Sequence, residues 1–245
     1  MENLVNNLLQ FAKISEFTYE DPPSAEKKFK QIDVTIIKFF NVRGAQGYLL
    51  KHNNQYVLSF RGTELKEASD ILADLKAGKN FEIDDNGIAF GKVHHGFKKE
   101  LDKLWPDIKN HTESIDKLYI TGHSLGAAMA TIAASRLQRK VISLITFGSP
   151  RVGTKDFVRS CSFLHYRVQN NCDDVTKVPF LLMGYKHHGN HIYLNLLGEI
   201  KDYTVVQMIK DMIRSRIMSR LKKQRFLGIT DHLMKNYIEK LSKNL

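Results

Sequence analysis

"LYITGHSLGAAMAT", residues Leu118 to Thr131, runs an apolar segment into Gly-His-Ser-Leu-Gly and then into a run of alanines. The segment up to Thr121 reads as a strand, and residues 125–138 read as a helix. Between them the glycines lie where strand and helix nearly touch, and Gly122 and Gly126 remove Cβ atoms there. Such a turn either needs glycine for its own geometry or holds Ser124 out as a nucleophile. In the second case the serine sits at the positive end of a helix, which suits a developing negative charge.

A serine hydroxyl needs a base to take its proton and a further group to orient that base. Where a strand–Gly-x-Ser-x-Gly–helix turn carries a nucleophile, the acid and then the histidine follow in the chain. After position 124 the best-placed acids are Asp173 and Asp174, just beyond the apolar segment FLHYRV (163–168). A loop at the carboxyl end of a parallel strand is where such sheets place functional groups. Asp156, Glu199, Asp202, Asp211, Asp231 and Glu239 are less well placed. Among the histidines, His165 falls inside a strand. Spacing does not choose between the group His187, His188 and His191 and the later His232, which reads as the start of the last helix.

The segments around this centre alternate strand and helix: a helix near 97–110 with Pro106 as a kink or break, strands at 141–147 and 163–168, and helices at about 204–223 and 231–243. Residues 3–19 carry apolar positions at helical spacing, and IDVTIIKFF (32–40) reads as a strand. Hairpins are expected around Asn53-Asn54, Asn86-Gly87 and Gly198. The pattern predicts an α/β fold, a mixed and mostly parallel central sheet flanked by helices. No repeat or low-complexity linker interrupts it, so one domain over 1–245 is expected.

The 245 residues are 42% hydrophobic and 26% charged, a composition that favours a folded core over disorder. No apolar run is long enough to span a bilayer, and no signal peptide is visible, which favours a cytoplasmic location. Two cysteines, Cys161 and Cys172, exclude a disulfide framework and read as free thiols. CxxC spacing is absent, and neither a metal nor a cofactor is expected. The net charge of +11 predicts attraction to anionic surfaces. With no nucleic-acid-binding motif beside it, the charge does not point to that partner.

Taken together, these segments resemble the class 3 lipase family, which includes secreted fungal triacylglycerol lipases. FRGT (60–63) resembles the family's oxyanion-hole strand end, and VHHGF (93–97) its VHxGF segment. TGHSLGAAMA resembles the nucleophile elbow, and TFGSPRVG (146–153) the next strand and loop. DDVTKVP (173–179) is similar to the acid loop, YKHHGNHIYL (185–194) to an H-x-G segment, and DHLMKNY (231–237) to the last histidine segment.

The resemblance implies an α/β-hydrolase fold and a cofactor-free serine lipase or esterase acting on acylglycerols through an acyl-enzyme. Ser124 would be the nucleophile, Asp173 the orienting acid with Asp174 as fallback, and His232 the base. The backbone N–H groups of Thr63 and Leu125 would receive the oxyanion, with the Thr63 hydroxyl as a further donor. His187, His94 and Arg61 match family positions with structural roles. A lipid or ester substrate and a monomer are expected. A phospholipase on anionic membrane lipid, or an inert membrane-binding module, are the alternative readings.

Two segments stand apart. Residues 64–80, ELKEASDILADLKAGKN, occupy the place of the family's lid, with Leu65, Ile71, Leu72 and Leu75 spaced for one apolar face. In the helix from 204, Val205, Ile209, Met212, Ile213 and Ile217 recur at helical spacing. Arg214, Arg216, Arg220, Lys222, Lys223 and Arg225 crowd its second half. That helix either packs its apolar residues on the core or docks through 214–225 on an anionic lipid surface.

Overall fold

The computed structural model describes residues 2–63, 78–83, 89–221 and 227–245. Most of the segment given the lid reading, 64–77, lies outside the described residues, as do the Asn86-Gly87 bend and Lys222, Lys223 and Arg225.

A seven-stranded sheet forms the middle layer. Its first three strands, β1 (Val34–Val42), β2 (Ala45–His52) and β3 (Gln55–Phe60), are antiparallel. Asn53 and Asn54 both adopt positive φ, 46° and 61°, in the two-residue turn between β2 and β3. A separate antiparallel pair, β4 (Lys79–Ile83) and β5 (Ala89–His94), stands outside the main sheet. In the main sheet β6 (Leu118–His123), β7 (Val141–Phe147), β8 (His165–Asn170) and β9 (Asn190–Leu194) follow β3, all parallel.

Strand side chains alternate between two apolar cores, as a period of two requires. Leu49, Leu58, Ile120 and Leu144 face one core, against α3 (His95–Thr112) and α4 (Leu125–Arg136). Tyr48, Leu50, Val57, Ile145, Phe147 and Val168 face the other. That second face is covered by α1 (Glu2–Phe17), α2 (Pro22–Lys30) and the carboxyl-terminal α8 (Met234–Ser242). Helices on both faces of a mostly parallel sheet make the expected α/β architecture. Both cysteines are buried and free.

Several local expectations are corrected. Helix α3 runs through Pro106 without a break. The ring lies on the exposed face, and Asp102, whose carbonyl loses its helical donor, is also exposed to water. The hairpin around Gly198 reduces to a turn, with Gly198 N–H donating to Asn195 O at 3.0 Å, and one bridge between Leu194 and Ile200. The strand before that turn pairs instead in parallel with β8, because its apolar Ile192 and Leu194 complete the α1/α8 core. Helix α6 (Val205–Leu221) follows α5 (Lys155–Ser160) and β9, and α7 (Leu227–His232) precedes α8. His232 therefore closes a short helix rather than opening the last one, since the extended Leu233 (φ −64°, ψ 131°) separates α7 from α8.

Candidate active site

The turn between β6 and α4 is as tight as the glycines imply. A Cβ on Gly122 would lie 2.5 Å from the Gly126 carbonyl carbon, and one on Gly126 would collide with the Phe60 carbonyl. Ser124 takes the strained pair φ 58°, ψ −126°, a conformation costing a non-glycine residue about 1–3 kcal/mol. The surroundings hold it there: Ser124 N–H donates to Phe147 O at 3.1 Å, and Ser124 O accepts from Ala127 N–H at 3.0 Å.

Three side chains from distant parts of the chain meet at this turn. Ser124 Oγ is 2.8 Å from His232 Nε2, and His232 Nδ1 is 2.9 Å from Asp173 Oδ2. All three residues are buried. A carboxylate can only accept, so Nδ1–H donates to Asp173, leaving neutral Nε2 to accept from the serine hydroxyl.

Asp173 stands just beyond the carboxyl end of β8. Its Oδ1 accepts from Val175 N–H at 2.9 Å, and its Oδ2 accepts from the Tyr237 hydroxyl at 2.5 Å. Burial opposes its ionisation and is the largest single influence. The charge and hydrogen bond of His232, with the Tyr237 hydrogen bond, outweigh it and hold the carboxyl below its ordinary value. Burial and the neighbouring carboxylate push the Tyr237 phenol well above its ordinary range, so it remains a donor. Its oxygen in turn accepts from Asn170 N–H at 3.1 Å.

The second residue of the turn, His123, fixes the base from behind. Its Nε2 lies 2.8 Å from the carbonyl oxygen of His232, and its Nδ1 lies 2.8 Å from the Tyr19 hydroxyl. The carbonyl requires Nε2–H, so Nδ1 accepts the phenol proton. Burial and the nearby His232 lower the His123 pKa to about 3. A neutral imidazole thus links the turn after α1, the serine turn and the backbone of the base.

Gly148, after β7, supplies room for the pair. With φ at +56°, a Cβ there would lie 2.8 Å from both Asp173 Oδ2 and His232 Nδ1. As first residue of α4, Leu125 has a backbone N–H without an intrahelical acceptor. Thr63 ends the segment after β3, and its hydroxyl is buried without a hydrogen-bond partner among the described residues. Both features suit groups awaiting an acceptor.

The remaining candidates lie elsewhere. Asp174 is exposed and pairs with Lys177 at 2.7 Å and Arg216 at 2.9 Å. His187 Nε2–H donates to Thr176 O at 2.8 Å, His188 meets His165 at 3.1 Å, and His191 meets Gln169 Oε1 at 3.1 Å. Arg61 donates to Gln46 Oε1, and His94 packs on Phe97 with ring centroids 4.3 Å apart. Among the described residues, no group of three His, Cys, Asp or Glu side chains is placed to hold a metal ion. Tyr19, His123, Gly148 and Tyr237 carry no role in the sequence reading. His123 and Tyr237 stand inside quoted motifs, whereas Tyr19 lies 104 residues from its partner and leaves no local signal.

Fold and serine turn together define an α/β hydrolase. A family model described as Lipase (class 3) matches residues 57–183, and the chain belongs to that family. A secreted mono- and diacylglycerol lipase of Fusarium solani is 35% identical over 127 residues, 47% of this chain and 38% of the relative. The chain covers less than half the length of the curated relatives it matches. Among solved structures, a lipase from Rhizopus microsporus var. chinensis superposes with a TM-score of 0.62 at 25% identity, covering 79% of this chain and 75% of that one. A triacylglycerol lipase described as having a serine protease triad as its catalytic centre superposes with a TM-score of 0.72. That match covers 95% of this chain and 94% of the other at 20% identity, a likeness of fold.

Proposed function

We propose that the protein hydrolyses carboxylic ester bonds of acylglycerols through an acyl-enzyme on Ser124. The observation that carries this reading is the unbroken chain from Ser124 Oγ to His232 at 2.8 Å and from His232 to Asp173 at 2.9 Å. As the serine oxygen attacks the ester carbonyl, His232 Nε2 takes its proton, and Asp173 stabilises the imidazolium. The N–H groups of Leu125 and Thr63, aided by the Thr63 hydroxyl, receive the oxyanion. Losing one such donor costs roughly 10²–10³ in rate. Collapse of the tetrahedral species expels the alcohol, protonated by His232. Water, deprotonated by the same imidazole, then attacks the acyl-serine and frees the acid.

Acylglycerols are supported as substrates by family membership and by the name of the Fusarium relative. The net charge of +11 favours anionic phospholipid as the second reading. Emulsions of mono-, di- and triacylglycerol, assayed beside phosphatidylglycerol and a chain-length series of soluble esters, separate the two. The reading requires acylglycerol turnover that Ser124→Ala lowers by roughly 10⁴-fold or more. Turnover confined to phosphatidylglycerol would replace the substrate. Equal turnover by the serine variant would reject the site.

A further inference from the structure

Helix α6 is turned inside out relative to an ordinary surface helix. The side packed on the protein carries Met208, Asp211, Met212, Ser215, Met218 and Ser219. Its branched aliphatic side chains face water: Val206, Ile209, Ile213, Ile217 and Leu221 are 47–79% exposed. These five are spaced three or four residues apart and form one row along the helix. At 100° per residue, Lys210 and Arg214 border that row on one side and Arg216 and Arg220 on the other. The helix's one acid, Asp211, points away from the row: its Oδ2 accepts from the Tyr193 hydroxyl at 2.9 Å and from Leu196 N–H at 3.0 Å.

Polar bonds hold the helix in this rotation. Asn171 Nδ2–H donates to Ser215 Oγ at 2.6 Å, and the Cys172 thiol to Met212 O at 3.4 Å. Arg216 pairs with Asp174 at 2.9 Å. These three anchors, Asn171, Cys172 and Asp174, flank Asp173 on one loop. Further along the same loop Phe180, Leu181 and Leu182 are exposed, Leu182 completely.

From this we propose that α6 is a docking surface for an anionic lipid layer, seating the isoleucine row among the acyl chains and the four basic residues at the headgroups. Charge decides the occupant. The exposed face joins an apolar row to four cations, of which Lys210, Arg214 and Arg220 have no acid partner among the described residues and Arg216 shares Asp174 with Lys177, the pattern of a helix lying in a membrane interface. Its cations select anionic over zwitterionic lipid. No helix among the described residues is long and apolar enough to cross a membrane. The surface extends the ester-hydrolase reading by giving the Asp173 loop a fixed relation to lipid, but it is tested without hydrolysis.

The test uses the full chain carrying Ser124→Ala, sedimented with phosphatidylcholine vesicles with and without phosphatidylglycerol. Binding is expected to the anionic vesicles and to weaken with salt. Ile213→Ser combined with Ile217→Ser, and separately Arg214→Glu with Arg220→Glu, are each expected to lower that binding about tenfold or more. Ile37→Ser, at an isoleucine 48% exposed on β1, is the control expected to bind like the parent. Unfolding midpoints equal to the parent's verify that the variants fold. Equal binding to both vesicle types, or parental binding by either double variant, overturns the proposal. So does a parent that ignores vesicles but sediments as a dimer dissolved by the isoleucine changes, which would make a second copy the occupant.

Discussion

Tyr237 and His232 donate to the same oxygen, Asp173 Oδ2, at 2.5 and 2.9 Å. The two donors come from adjacent helices, α7 and α8, and the break at Leu233 lets both reach one carboxylate. Tyr237→Phe removes one donor while keeping the ring that packs edge-on against Phe147 at 5.9 Å. Asp173 then loses an influence that lowers its pKa, so loss of activity in acid should begin at higher pH. Turnover should also fall about tenfold, and stability by about 1.5–3 kcal/mol, the range for hydrogen bonds to charged groups. A pH profile with urea unfolding checks both; an unmoved acid limb would assign Tyr237 to packing alone.

Gly148→Ala should separate the acid from the base. The new methyl would intrude on Asp173 and His232 together, and positive φ adds about 1–2 kcal/mol of backbone strain. Activity is expected to fall roughly 10²-fold, the scale for a misplacement of about 1 Å. Gly44 provides the comparison, since its φ is +85° but a Cβ there meets nothing within 4 Å. Gly44→Ala should show the strain in its unfolding midpoint and keep parental turnover.

Acid should destabilise the fold before it protonates ordinary carboxylates. Burial lowers the His123 pKa from 6.5 to about 3 and that of His191 to about 4, and pushes His165 and His187 well below 6.5. Below pH 6.5 the unfolded chain binds protons that these folded imidazoles refuse. Their contribution is fully present above pH 6.5 and is lost as pH falls toward the folded values. Asp231 opposes them, because burial raises its pKa from 3.8 to about 6 and its contribution fades as pH rises through that value. His188 is lowered by burial as well and Glu16 is raised by it, so five imidazoles stand against two carboxyls and outweigh them. Urea unfolding between pH 6.5 and 4 should therefore lose stability faster than about 1.4 kcal/mol per pH unit, the slope for one proton. A flat profile would contradict the buried neutral histidines.

The β4–β5 pair is fastened to the body by an ion pair that should be costly to break. Glu82, 1% exposed at its side chain, receives Arg136 at 2.5 Å, and Arg136 also reaches Asp102 at 2.6 Å. Arg136→Ala leaves the buried carboxylate with Lys98 at 3.6 Å as its remaining cation among the described residues. A loss of about 3–5 kcal/mol is expected, toward the lower end because Lys98 stays. Equilibrium unfolding measures it, and a loss below 1 kcal/mol, on the scale of an exposed pair, would contradict the burial argument.

The middle of the chain was the legible part, because there a local pattern and a local consequence coincide. Short apolar runs set β6 and β7, and small residues set the turn at Ser124. Helix α6 was left between core packing and lipid docking for a reason visible in its contacts. Its period of three to four placed Ile209, Ile213 and Ile217 on one row but joined to them Met212, which lies on the protein side, and periodicity alone does not say which face meets the protein. The polar anchors Asn171, Cys172 and Asp174 decided that. Spacing likewise left the histidines unresolved, since the meeting of His232 and Ser124 across 108 positions depends on how α7 docks rather than on any local signal.

The most direct test is a fluorophosphonate probe followed by peptide mapping. The account predicts a single adduct on Ser124, formed slower by roughly 10³-fold or more in His232→Ala and at near-parental rate in His187→Ala and Asp174→Asn. An adduct at another residue, or undiminished labelling of Ser124 without the imidazole at 232, would contradict it.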